Sequence, residues 1–254
     1  MGRMSPKGGL SYHLVRPHDY ILLFNHIEVV IHFTTWYQIA CIAKAPLPPY
    51  VRAQSAGTYM NSDLILKSIA RHIALEPREE EMFLSLLQPM KIKRRQFMLH
   101  RGEVCRFAAF VNSGCLRSYT IDGNDFEHIL NFAPTGWWMS DMYSYITQEK
   151  GYLNIAALED AEVLQLTKDR QELLFAEVPK FERYYRIITE NSLVSYQLRT
   201  LDNLSLTAQD RYLNFCRRYP SLINTIPQKY IASYIGVTPE FLSKLRKDLL
   251  KQGR

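Results

Sequence analysis

The 254-residue chain predicts an α+β protein: an antiparallel β-sheet domain, one long helix, and a C-terminal pair of short helices. Three observations carry this. Short alternating segments between turn signals fill the region from Lys91 to Leu166, the pattern of a sandwich or barrel. Residues Tyr184 to Ser205 then recur at spacings of three and four, which suits a long helix. Finally, Ile226 to Gln252 reads as two amphipathic helices hinged on Gly236.

Residues 1–59 stand apart. The apolar stretch Tyr20 to Ala43 is interrupted by His26, Glu28, His32 and Gln38. It therefore makes a poor membrane span, which needs roughly 20 mostly apolar residues, and a poor signal peptide. The run from Ala45 through Pro46, Pro48 and Pro49 reads as an extended linker. Globular character begins at Met60, which is the expected natural start; residues 1–59 are then an extension outside the fold, with a weakly anchored membrane tether as the alternative.

Two helices are expected between Ser62 and Pro89, the second opened by Pro77 with Glu79, Glu80 and Glu81 in its first turn, where the helix dipole favours carboxylates. Strands follow at Lys91–Leu99, Phe107–Asn112 and Cys115–Ile121. Asp122-Gly123 is a hairpin signal. Beyond it Phe126, His128, Leu130 and Phe132 alternate with Glu127, Ile129 and Asn131, which puts His128 on a mainly apolar face as a satisfied core residue. Two further strands are read at Leu153–Ala157 and Glu162–Leu166, so a parallel dinucleotide-binding sheet is excluded.

The seam Tyr184, Ile187, Asn191, Val194, Leu198, Leu201 and Ser205 is the expected dimerisation face, with Asn191 as a polar register residue; the alternative is packing on the chain's own sheet domain. Thr207-Ala208-Gln209-Asp210 caps a new helix, so the long helix should break near Leu206. In the C-terminal pair, Pro227 opens the first helix and Ile231 and Ile235 face inward. Thr238 caps the second, Pro239 takes its first position, and Leu242, Leu245 and Leu249 form the buried stripe. The opposite face carries Pro239, Glu240, Ser243, Lys244 and Lys247, donors and acceptors suited to base edges, with Thr238 and Lys229 near phosphates.

Charge agrees with this placement. The chain carries a formal +6, and residues 209–254 hold nine Lys+Arg against three Asp+Glu, whereas residues 60–208 hold 17 against 20. A cationic end on an acidic body suits a polyanion partner. Cys41, Cys105, Cys115 and Cys216 form neither a disulfide framework nor a zinc pattern, which fits a reducing cytoplasm. No P-loop, nucleophile elbow or G-x-G-x-x-G is present, and the chain is not expected to be an enzyme.

The order of elements, together with Met98-Leu99-His100-Arg101-Gly102-Glu103, Phe110-Val111-Asn112-Ser113-Gly114 and Ile231-Ala232-x-x-Ile235-Gly236-Val237-Thr238-x-Glu240, resembles the Crp/Fnr family of bacterial transcription regulators over about Met60 to Arg254. The resemblance implies a cyclic-nucleotide-binding-like jelly roll at 60–177, a dimerisation helix at 178–206 and a winged-helix-like DNA-binding domain at 207–254, although the chain ends where the wing often follows. Glu240 matches the family's cytosine-contacting glutamate; Lys244 and Pro239 stand where arginines are common. In the roll, Ser140-Asp141-Met142 replaces the Gly-Glu-Leu phosphate cassette and Gly151-Tyr152 replaces the Arg-Ser pair, with Lys150 one position away. Ser140, Asp141, Lys150 and Tyr152 are thus the ligand-pocket candidates, and cyclic AMP or cyclic GMP is expected not to be held, because nothing obvious neutralises the cyclic phosphate. The iron-sulfur cysteine cluster of some members is absent too, and no metal or other cofactor is expected.

The resulting expectation is a sequence-specific DNA-binding regulator. Its partners would be duplex DNA, a second copy of the chain and RNA polymerase; a small-molecule effector stays open, and no membrane is involved. The alternatives are a cupin-like metalloenzyme, for which His100, Glu103 and His128 are the only loose ligands, and a regulatory module that binds a protein in place of DNA.

Overall fold

The computed structural model describes residues 61–251; the reading of residues 1–59 lies outside them. Helices α1 (Asp63–Ala70) and α2 (Pro77–Leu86) come first. Pro77 sits in the first turn of α2, and the Glu79 carboxylate reaches back 2.7 Å to the Glu76 N–H, closing a capping box.

Eight strands follow: β1 (Gln88–Ile92), β2 (Phe97–Leu99), β3 (Phe107–Ser113), β4 (Cys115–Ile121), β5 (Glu127–Pro134), β6 (Trp138–Met139), β7 (Asn154–Ala157) and β8 (Ala161–Thr167), with helix α3 (Met142–Thr147) between β6 and β7. They form two four-stranded antiparallel sheets, ordered β1-β8-β3-β6 and β2-β7-β4-β5. Leu99, Val111, Leu116, Ala133, Ile155 and Val163 fill the space between the sheets.

The single strand expected at Lys91–Leu99 is two strands in different sheets. Arg95 adopts a left-handed backbone (φ 69°) and its N–H donates to the Ala157 carbonyl at 2.8 Å, so the chain turns the corner from one sheet to the other. The alternation expected along β5 is also broken. Ser118 pairs with Asn131 but Tyr119 pairs with Ile129, which leaves Leu130 as a bulge. The extra residue puts Ile129 and Phe132, three apart, on one buried face. His128 is consequently exposed and not a core residue; its Nε2 lies 2.7 Å from the Asp122 carboxylate at the hairpin tip.

Helix α4 (Lys168–Glu177) and the start of α5 (Lys180–Ser205) close over the first sheet with α1 and α2. Phe110, Leu164 and Leu166 on that sheet meet Ile65, Ile69, Phe83, Leu174, Phe181 and Tyr184. Lys180 clamps the layer through the Glu79 carboxylate at 2.7 Å. Helix α5 ends at Ser205, and Thr207 caps α6 (Ala208–Arg218) by accepting the Asp210 N–H. A 3-10 turn at Pro220–Leu222 leads to α7 (Gln228–Ile235) and α8 (Pro239–Lys251).

The outer face of the second sheet is covered by these last helices. Tyr119, Ile129, Phe132 and Ala156 share one core with Tyr212, Phe215, Tyr219, Ile231, Tyr234 and Leu242. Around Phe132 the rings of Phe215, Tyr219 and Tyr234 lie with centroids 6.0, 5.6 and 5.5 Å away. Cys105 and Cys115 are buried, and burial pushes the Cys115 thiol up to about 12. Among the described residues no helix is long and apolar enough to cross a membrane.

Candidate nucleic-acid interface

Helix α7 starts at Gln228, with Pro227 as its cap residue one position earlier than expected. It ends at Gly236, whose left-handed backbone (φ 73°) lets the Val237 N–H return to the Ala232 carbonyl at 3.0 Å. A side chain there would be strained by the backbone alone. The Thr238 hydroxyl then accepts the Phe241 N–H at 3.2 Å, and α8 begins at Pro239. Leu242 and Leu249 are buried against α7 and α6, with Leu245 half-buried beside them.

This packing turns the other side of α8 to solvent. Thr238, Pro239, Glu240, Ser243, Lys244 and Lys247 are all exposed, as is Lys229 on α7. The Ser243 hydroxyl donates to the Pro239 carbonyl at 2.9 Å, so it offers only an acceptor outward. Phe241 is 50% exposed at the flank of the same face and was missed in sequence, because its position fits neither the buried stripe nor the polar side.

The helix pair is held to the sheet by polar contacts that no local spacing announces. The Ser233 hydroxyl donates to the Glu127 carbonyl at 2.6 Å and accepts the Ile129 N–H at 2.9 Å. Tyr219 donates to the Asn131 side chain at 2.7 Å. Arg199 on α5 donates to the carbonyls of Leu130, Ile129 and Tyr234, the latter two at 2.8 and 3.1 Å, and its guanidinium lies 4.0 Å from the Tyr234 ring centroid. It thereby satisfies the carbonyl that the β5 bulge leaves without a ladder partner. Arg117 is only 7% exposed, paired with Glu127 and sandwiched between Tyr119 and Tyr230 at 4.1 Å from each centroid.

The expected seam divides. Tyr184 is fully buried, and its hydroxyl accepts the Trp138 indole N–H at 2.9 Å, so it belongs to the chain's own core and not to an outward seam. Ile187 is half-buried and Asn191 is exposed. Val194, Leu198 and Leu201 are 52, 55 and 51% exposed, and Leu193 and Leu204, which the seam omitted, are 66 and 79% exposed.

The ligand candidates do not converge. Asp141 is 2% exposed and caps α3; its carboxylate accepts the N–H groups of Ser144, Tyr152 and Leu153 at 3.3, 3.2 and 3.2 Å. The carboxylate is thus engaged by its own loop, and Gly151 approaches so closely that an added Cβ would stand 2.4 Å from Asp141 Oδ2. The Ser140 hydroxyl donates to the Phe107 carbonyl at 3.1 Å. Lys150 is exposed, and Tyr152, 59% exposed, leans on Tyr143. His100 stacks on Phe97 while His128 pairs with Asp122, and among the described residues no three His, Cys, Asp or Glu group to hold a metal.

The class defined is a double-sheet roll joined by a long helix to a helix-turn-helix. No family model matches the chain. Among curated proteins it is similar to the anaerobic regulatory protein of Haemophilus influenzae, 23% identical over 215 residues that cover 80% of this chain and 83% of that one. Among solved structures it is similar to FixK2 from Bradyrhizobium japonicum (18% identity, TM-score 0.59, 66% of this chain and 86% of that one). It is also similar to the c-di-GMP responsive global regulator CLP of Xanthomonas campestris (16%, 0.57, 70% and 93%) and to a CooA mutant from Carboxydothermus hydrogenoformans (18%, 0.56, 77% and 87%). The fold is that of the Crp/Fnr regulators.

Proposed function

We propose that the chain is a sequence-specific, DNA-binding transcription regulator of the Crp/Fnr type that works as a cytoplasmic homodimer. The observation that carries this is the exposed face of α8, where Glu240, Ser243, Lys244 and Lys247 stand clear of the body on a helix whose opposite side is anchored by Leu242 and Leu249. In a helix-turn-helix that face enters the major groove, where lysine donates to guanine and glutamate accepts from cytosine. Thr238 and Lys229 flank it as phosphate contacts. The Haemophilus relative and CLP are both named as regulators, which supports the same reading. The division into a roll at 60–177, a dimer helix at 178–206 and a DNA-binding domain at 207–254 belongs to this proposal.

The dimer face is the unpartnered apolar side of α5, from Ile187 and Asn191 through Val194, Leu198 and Leu201. Two copies zipped there set two α8 helices to match two half-sites. The test is selection on random duplex DNA with the full chain, followed by affinity measured against salt. Enrichment of a two-fold symmetric site, with affinity falling steeply as salt rises, supports the proposal. Recovery of no sequence above background overturns it.

A further inference from the structure

We infer that Phe241 is a base-reading side chain that meets the C5-methyl group of thymine, so that each half-site carries an A·T pair fixed by apolar contact. The inference rests on the DNA-binding reading of α8 and adds to it a readout of thymine.

Phe241 is held in the first turn of α8, where its N–H donates to the Thr238 hydroxyl at 3.2 Å. At about 100° per residue its side chain leaves the helix between the half-buried Leu245 and the exposed Lys244, about 60° round from the latter. A helical side chain leans towards the N-terminus of its helix. The ring therefore covers the end of α8 that enters the groove.

No buried cluster claims this ring. It is 50% exposed, whereas Phe83, Phe110, Phe132, Phe181 and Phe215 are at most 1% exposed and each belongs to a core. Phenylalanine is also a weaker helix former than the leucine, lysine and glutamate around it, so neither packing nor propensity selects it here.

The surroundings name the partner. Lys229, Lys244 and Lys247 are exposed and form no ion pair among the described residues, so this end of the chain draws a polyanion. Within a major groove Glu240 and Lys244 address cytosine and guanine, and the thymine methyl is the one apolar feature among the base edges. A phenyl ring has no hydrogen bond to offer them and gains only from apolar contact. The methyl group projects from the wall of the groove, which suits a side chain on the flank of α8 better than one on its crown. Phe241 thus adds an A·T position to a face otherwise suited to G·C pairs.

The test uses the full chain and the duplex that selection recovers, with each thymine replaced singly by uracil, which removes the methyl group and leaves the pairing edge unchanged. At one thymine per half-site the affinity is expected to fall about four-fold, the worth of burying one methyl group. With Phe241→Ala the thymine and uracil duplexes should differ by less than about two-fold at that position, and a fresh selection with the variant should lose its preference there. A Tm within about 2 °C of the parent shows that the variant is folded, and the uracil comparison on the parent chain needs no variant. A duplex in which every thymine tolerates uracil, or a uracil penalty that Phe241→Ala leaves unchanged, overturns the inference and leaves DNA binding standing. Failure of selection to recover any site overturns the DNA-binding proposal itself, and this inference with it.

Discussion

Replacing Arg199 with methionine should loosen the helix-turn-helix from the roll. Three backbone carbonyls, on Leu130, Ile129 and Tyr234, lose their guanidinium donor, and the Leu130 carbonyl has no ladder partner because it sits on the bulge. Each buried acceptor left unsatisfied costs about 1–3 kcal/mol, so the three together cost about 3–9 kcal/mol; methionine also removes the desolvation of a charge that burial already disfavours at Arg199, which brings the net loss to about 2–4 kcal/mol. For a chain of this size that lowers Tm by about 5–15 °C. Scanning calorimetry reads the shift, and hydrogen exchange locates it: the α7 amides at 228–235 should lose protection before those of β4 and β7. Lysine at the same position keeps the charge but not the fork, and should recover less than half of the loss. A methionine variant whose Tm stays within about 2 °C of the parent, with α7 exchange unchanged, would refute the role given to Arg199.

Four further outcomes are expected. Leu198→Asp places a charge on the apolar face of α5 and should give monomers by sedimentation with DNA affinity lost alongside; a dimeric variant moves the interface elsewhere. Lys244→Ala should cost about 1–3 kcal/mol of DNA affinity and relax preference at one position per half-site, whereas equal weakening on all sequences makes it a phosphate contact. Cyclic AMP and cyclic GMP should leave the Tm of the chain unmoved, because Asp141 occupies the roll's own backbone donors; stabilisation by either would restore a nucleotide site there. The Asp122 carboxyl is held below its usual range by the His128 hydrogen bond, then by the Asn124 and Phe126 N–H groups. Its contribution is therefore complete above the unfolded carboxylate range and lost as pH falls through the lower folded value, so the Phe126 amide should lose exchange protection below about pH 4, and Asp122→Asn should flatten that dependence.

The features legible in sequence are those written in local chemistry. Pro77 with its glutamates, Asp122-Gly123, Gly236 and Thr238 each meet a backbone requirement within a few residues, and each stands where a turn, a cap or a first helical position needs it. What was not legible depends on residues far apart in the chain. The corner at Arg95 needs Ala157 as acceptor, and the bulge at Leu130 is set by pairing with β4 and repaired from α5. Asp141 is indistinguishable in sequence from a pocket carboxylate until the loop at Tyr152 and Leu153 folds onto it. Tyr184 fits the heptad as well as Leu198 does, but only a sheet already packed on α5 decides that the first faces inward.

The core shared by Phe132, Ile129 and Tyr119 with Tyr219, Tyr234 and Phe215 bears on how such chains can be recombined. A chimera cut at Leu206 would carry away half of one hydrophobic core and leave the other half bare on the second sheet, so both pieces would tend to aggregate. The unit that can be exchanged intact is the helix-turn-helix together with the β4–β5 hairpin it rests on, bulge included. A drift in either partner must be matched in the other, which makes the hairpin part of what the C-terminal helices inherit.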